Sequence, residues 1–154
     1  MDAPHVQEGD LSASLAEQNG ILLEDCTQIG NLTSLHPPVQ IVLKIQEIFT
    51  DRVDPLIKIL HLPTFWPLVM DMIQSPQNVS KSLEALVFSV YFVTISYLED
   101  SECLSIFGVQ RLFLSARYRL ATRQALVNAS FLSTSSPMTL QAYAMFMVRS
   151  IPPS

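Results

Sequence analysis

The chain has 154 residues, the length of one ordinary domain and enough to bury a core. Apolar residues make up 49% and charged residues only 15%, against roughly 25% charged in a typical soluble domain, so an apolar surface is expected to face a partner or a further segment. The net charge is −5, and no stretch is basic enough to neutralise a phosphate backbone, which disfavours nucleic-acid binding.

Residues 1 to 36 hold six acids (Asp2, Glu8, Asp10, Glu17, Glu24, Asp25), no Lys or Arg and no aromatic residue. This composition predicts a solvated, disordered acidic leader with at most a short helical turn around Leu11 to Glu17. His5 and His36 are read as surface residues within it. The leader lacks the positive region and apolar stretch of a secretory signal, so the sequons at Asn31, Asn78 and Asn128 are read as chance matches. Cys26 and Cys103 are far apart and in no ligand-like cluster, which disfavours a structural zinc site or a disulfide framework and suggests two reduced thiols.

From Pro37 the pattern becomes helical. Ile41, Val42, Ile45, Ile48 and Phe49 form one stripe, Pro37 and Pro38 suit its first turn, and Lys44, Glu47 and Asp51 fall on the opposite side. The following stretch, VDPLIKILHLPTFW at 53 to 66, predicts a corner between two helices. Asp54 and Pro55 are suited to start a helical turn, the Leu62-Pro63 bond to stop it, and Thr64 to cap a restart with Pro67 in its first turn. His61 is read as a structural residue of this corner and not as a catalyst, because no nucleophile is grouped with it. Phe65, Trp66, Val69, Met72 and Ile73 mark the next helix, ending before Pro76. Phe65 and Trp66 are expected to pack back onto the helix that follows.

That helix, about Lys81 to Leu98, is apolar on both faces and belongs in the middle of a bundle. Its strongly apolar run from Ala85 to Leu98 is shorter than the ~20 residues that span a bilayer. Glu99, Asp100 and Glu102 are read as stop and cap residues, with Ser101 as the cap of a short turn and Gly108 as its end. A long helix from about Val109 to Ala129 is expected to turn Leu112, Phe113, Ala116, Leu120 and Leu126 inward and Arg111, Arg119 and Arg123 outward. Those arginines, with Arg117, invite a phosphate site, but they are read instead as a solvated helix face whose arginine stems cover apolar surface. After the loop Ser133 to Ser136, Pro137 opens a last helix with a stripe of Leu140, Tyr143, Ala144, Met147 and Val148. The methionines at 70, 72, 138, 145 and 147 are read as core filler. The fold class is thus all-α, an irregular bundle of about five to seven helices over residues 37 to 154, incomplete at the C-terminus. No glycine-rich phosphate loop, catalytic set, metal cluster, cofactor site or DNA-binding residue is identified.

Three stretches carry a family resemblance: DPLIKILHLPTF at 54 to 65, ALVFSVYFVTISYLEDSECLSIFG at 85 to 108, and ARYRLATRQALVNASFLSTSSPMTLQAYAMFM at 116 to 147. In this order they resemble the regulatory, or middle homology, domain of fungal zinc binuclear cluster transcription factors. The resemblance implies a helical regulatory module of a nuclear protein serving a metabolic or secondary-metabolite pathway. Two departures accompany it: the six-cysteine zinc cluster with its basic linker is missing, and the family domain normally continues past this chain's last helix. The resemblance therefore implies a truncated or rearranged member that works through protein contacts, with a full-length relative or another regulator as partner and neither direct nucleic-acid contact nor a membrane. Any small-molecule effector stays unassigned. The alternative reading is a small helical enzyme or ligand-binding protein with an apolar pocket between the 81 to 98 and 109 to 129 helices.

Overall fold

The computed structural model describes residues 31–150, and within them every regular element is a helix. The expectations for His5, Cys26, the acidic stretch before Asn31 and the closing residues 151–154 lie outside the described residues.

The chain enters on a 3-10 turn, Leu32–Leu35, capped by Asn31, whose Oδ1 accepts from the Thr33 amide at 3.0 Å. Helix α1 (Val39–Ile48) buries Val42, Ile45 and Ile48, with Phe49 just beyond it, while Lys44, Glu47 and Asp51 face solvent as their spacing predicts.

At the corner the path differs from the expectation. A helical turn does start at Asp54, with Pro55 at its beginning as expected, but no break separates it from the helix before. The chain instead widens into a π-helical stretch, Phe49–Val53, and continues into α2 (Asp54–Ile57), with the Asp54 amide donating to the Phe49 carbonyl. The physical reason is Pro55, which has no N–H and whose ring crowds the carbonyl four residues back; a wide turn admits it without breaking the helix. The arm ends at Lys58, which adopts the left-handed conformation (φ 51°) and donates its amide to the Asp54 carbonyl at 2.9 Å. Helix α3 (Leu62–Gln74) therefore starts two residues before Thr64, and His61 is its cap. The His61 carbonyl accepts from the amides of Thr64 (3.1 Å) and Phe65 (3.0 Å), and its Nδ1 lies 2.8 Å from the Thr64 hydroxyl. Pro63 sits in the first turn, where an amide has no helical acceptor to lose, whereas Pro67 falls inside the helix. Phe65, Trp66, Val69 and Met72 are buried. The ring neighbours of Trp66 are Phe65 at 4.9 Å and Phe49 at 6.1 Å, so the corner closes on the preceding helical arm as well as on the common core.

Helix α4 (Lys81–Ser96) is the axis of the fold. Ser80 caps it, Oγ accepting from the Leu83 amide at 3.1 Å, and every residue from Ala85 to Ile95 is buried. The two polar residues in that run satisfy themselves within the helix: Ser89 Oγ donates to the Leu86 carbonyl and Thr94 Oγ1 to the Val90 carbonyl, each at 2.7 Å. Helix α5 (Asp100–Phe107) follows, capped by Glu99 and not by Ser101. The Glu99 amide donates to Glu102 Oε1 at 3.1 Å, the reciprocal arm of a capping box. Gly108 ends the helix at φ 71°, in the conformation a side chain resists. Helices α6 (Arg111–Asn128) and α7 (Pro137–Ser150) then enclose α4, which packs chiefly against these two. The all-α expectation holds among the described residues, and none of their helices is long and apolar enough to cross a membrane.

Candidate functional site

His36 is not a surface residue. Its ring stacks on Phe88 at 4.4 Å, Nδ1 lies 3.1 Å from the Tyr91 hydroxyl and Nε2 lies 3.5 Å from the Glu84 carboxylate. Tyr118 joins the cluster from α6, edge-on to Tyr91 at 5.5 Å and donating its hydroxyl to the Leu35 carbonyl at 3.3 Å. Burial pushes the Tyr91 phenol far above its ordinary range, with smaller contributions from Tyr118 and Glu84. The cluster ties the entering chain to α4 and α6, with Phe88, Tyr91 and Tyr118 buried and His36 and Glu84 at its edge, which suits a structural role.

The register of α6 departs from the expected one. Leu114, Tyr118, Ala121, Thr122, Ala125 and Leu126 face the core, while Leu112, expected inward, is 74% exposed. Phe113, Ala116 and Leu120 are half-buried, and Leu126 is buried as expected. Arg119 and Arg123 are exposed as predicted, but Arg111 and Arg117 are half-buried.

In α7 the apolar stripe visible in the sequence is the outer one. Thr139, Ala142, Met145 and Phe146 are buried, Phe146 against Phe92 at 5.6 Å between ring centres. Leu140 and Val148 are each half exposed, Tyr143 and Ala144 are exposed, and only Met147 of the expected stripe leans inward. Phe131, from the loop before α7, stacks on Tyr143 at 5.1 Å with 27° between the rings. Neighbouring Leu132 is exposed. These residues form an apolar outer face of one helix turned over about 12 Å of its length, carrying aromatic rings already held in place.

A second surface lies between α4, α6 and α7. A groove of about 880 Å³ has Phe92, Leu112, Ala116 and Leu120 in its walls, and Arg111, Arg119, Arg123 and Arg149 around them. It occupies the place where the alternative reading puts an apolar pocket, but it is open and rimmed by cations. Two of the four arginines are engaged. Arg111 Nε donates to Asp100 Oδ1 at 2.7 Å, and Arg149 donates to the Ser96 carbonyl and hydroxyl, both at 2.9 Å, with its guanidinium 4.1 Å from the centre of the Tyr97 ring. Among the described residues neither Arg119 nor Arg123 has a carboxylate within ion-pair distance.

The sequence-flagged acids serve structure. Arg52, from the π stretch, holds Glu102 through two bonds of 2.9 and 2.6 Å, and this, with the Glu99 amide, lowers the Glu102 carboxyl to about 2. His61 and Thr64 pair only with each other, consistent with the expected role in the corner. Cys103 is buried as a free thiol, and no three His, Cys, Asp or Glu side chains among the described residues converge on one point.

No protein-family model matches the chain, and no solved structure does. Curated proteins do match. Over 118 residues, 77% of the chain is 36% identical to the transcriptional regulator AacuB of Aspergillus aculeatus. Over 119 residues it is 34% identical to the pyriculol/pyriculariol biosynthesis cluster transcription factor 1 of Pyricularia oryzae. Over 122 residues it is 31% identical to the C6 finger domain transcription factor adaR of Aspergillus niger. The chain is a relative of one segment of the fungal C6 zinc-cluster transcription factors. It spans 16% of the length of each of these three proteins, and its two cysteines mean that a six-cysteine cluster is not within it. The resemblance seen in the three stretches at 54 to 65, 85 to 108 and 116 to 147 is thus borne out, and these relatives support a regulator over the enzyme alternative.

Proposed function

We propose that this segment belongs to the transcription regulation of a metabolic or secondary-metabolite pathway, in the nucleus, and that it acts through protein contacts and not through DNA contact of its own. The single observation that carries the contact mode is the outer face of α7. Leu140, Tyr143, Ala144 and Val148 present an ordered apolar stripe, flanked by Phe131 and Leu132, on a helix whose opposite side already fills the core. Burying such a stripe against a partner helix is favourable by about 25 cal/mol per Å² of apolar area, and an aromatic pair is a typical interface anchor. The expected partner is a helical surface of a longer zinc-cluster relative. The described residues carry nine basic and eight acidic side chains, a near-neutral balance that does not favour wrapping a DNA backbone.

Sedimentation of the purified chain mixed with the matching region of a longer relative tests this. The reading expects a complex that Leu140→Asp with Val148→Asp abolishes while the helical signal is retained. A chain that stays monomeric in every mixture, or a complex indifferent to the double substitution, would refute it.

A further inference from the structure

We propose that the arginine-rimmed groove between α4, α6 and α7 is a docking site for the chain's own acidic N-terminal segment, with residues 21–25, Ile-Leu-Leu-Glu-Asp, as the part that seats in it. The groove offers two things at once, an apolar floor and uncompensated positive charge. Phe92, Leu112, Ala116 and Leu120 supply the floor. Arg119 and Arg123 stand four residues apart on α6, hence on the same side of the helix, and both are exposed without a carboxylate among the described residues. Like charges at that spacing repel, and a doubly acidic ligand relieves the repulsion.

Residues 1 to 30 match this surface in composition. They hold six acids and no Lys or Arg, and only at Ile21 to Asp25 does an apolar triplet run directly into two adjacent acids. The tether suffices as well. The 3-10 turn Leu32–Leu35 is fastened to α6 through the Tyr118 hydroxyl on the Leu35 carbonyl, and Arg119 is the next residue along that helix. Five residues lie between Asp25 and Asn31, and the six backbone steps span up to about 20 Å when extended, against a helix diameter of about 10 Å, so a path around α6 is within the tether's length. Tethering raises its local concentration to roughly millimolar, enough for a modest contact to be populated. The occupied groove would keep a competing acidic segment of another protein out, making residues 1 to 30 an intramolecular competitor.

Cys26 adjoins the proposed contact and Cys103 is buried, so one nitroxide can be placed on Cys26 of the full chain, its stoichiometry checked by mass. At low salt the amide signals of Ser115, Arg119 and Arg123 are expected to weaken severalfold relative to the reduced label, while those of α3 do not. About 1 M salt, where the screening length is about 3 Å, restores them. Arg119→Glu with Arg123→Glu also restores them, and adding Glu24→Arg with Asp25→Arg to that variant brings the weakening back. Both positions are exposed, so these variants keep the amide spectrum of the fold. No weakening at the groove, weakening that charge reversal leaves unchanged, or weakening only between labelled and unlabelled copies in a mixed sample would each overturn the proposal.

Discussion

The register of α7 decides which of its faces is free, and it is open to a direct comparison of two truncations. Met145 is fully buried against α4, whereas Leu140 on the other side is half exposed. Replacing a buried methionine by alanine costs the transfer free energy of the lost atoms plus that of the cavity left behind, about 2–5 kcal/mol in a close-packed core. Against a total stability of about 5–15 kcal/mol for a domain, and at about 4 °C per kcal/mol for this size, Met145→Ala should lower Tm by about 8 °C or more. Leu140→Ala removes atoms that already touch water and should stay within about 1 kcal/mol of the parent. Thermal unfolding gives the Tm shift and urea unfolding with a common slope gives the free-energy change, both followed by far-ultraviolet circular dichroism. If Leu140→Ala proves the more damaging, the helix is turned the other way and the outward stripe on which the partner argument rests does not exist.

Other consequences follow from particular contacts. Phe65→Ala removes a buried ring from the corner and should cost ~3–5 kcal/mol by thermal unfolding. Gly108→Ala meets no neighbouring atom but must hold φ 71°, so a loss of about 1 kcal/mol is expected from backbone strain alone, with α5 otherwise intact. The Glu102 carboxyl, lowered from 4.5 to about 2 by Arg52, favours the folded state fully above pH 4.5 and loses that effect as pH falls toward 2. Glu102→Gln should therefore flatten the acid limb of a stability–pH curve in that window. Tyr91, held neutral by burial, acts in the opposite direction: the unfolded chain ionises this phenol above pH 10 while the folded chain does not, so stability falls as pH rises past 10. Tyr91→Phe should reduce that alkaline loss, measured by Tm across the same buffers.

The axis of the fold and most helix bounds were legible in the residues themselves. Ser80 before a run apolar on both faces specifies a capped, central α4, and Gly108 marks the end of α5 because only a residue without Cβ adopts its conformation freely. The register of α6 and α7 was less legible, for the same reason in both. Leu112, Phe113 and Leu114 are consecutive, and α7 is apolar at eight or more of its positions, so several stripes fit and only packing against α4 selects one. At the corner the turn at Asp54 and Pro55 was legible, but the restart was misplaced because Pro63 was weighed as a breaker, whereas the first turn of α3 absorbs it and a π turn joins Asp54 to the helix before. His36 gave no local signal at all. Its partners, Glu84, Phe88 and Tyr91, lie about fifty residues away, and their spacing at i, i+4 and i+7 on one side of α4 is the only trace of a shared contact. The arginine groove was half visible: the spacing of Arg119 and Arg123 put both outward, but the contribution of Arg149 and Phe92 needed the tertiary fold.

The central claim, regulation through the outer face of α7, is tested most directly by transcript profiling in the fungus that carries the gene, comparing the native chain with Leu140→Asp/Val148→Asp expressed at equal level. The account predicts a coordinated change in the transcripts of one set of pathway genes, matching that of a gene deletion. Unchanged transcripts together with the build-up of a single intermediate would contradict it and favour a catalyst.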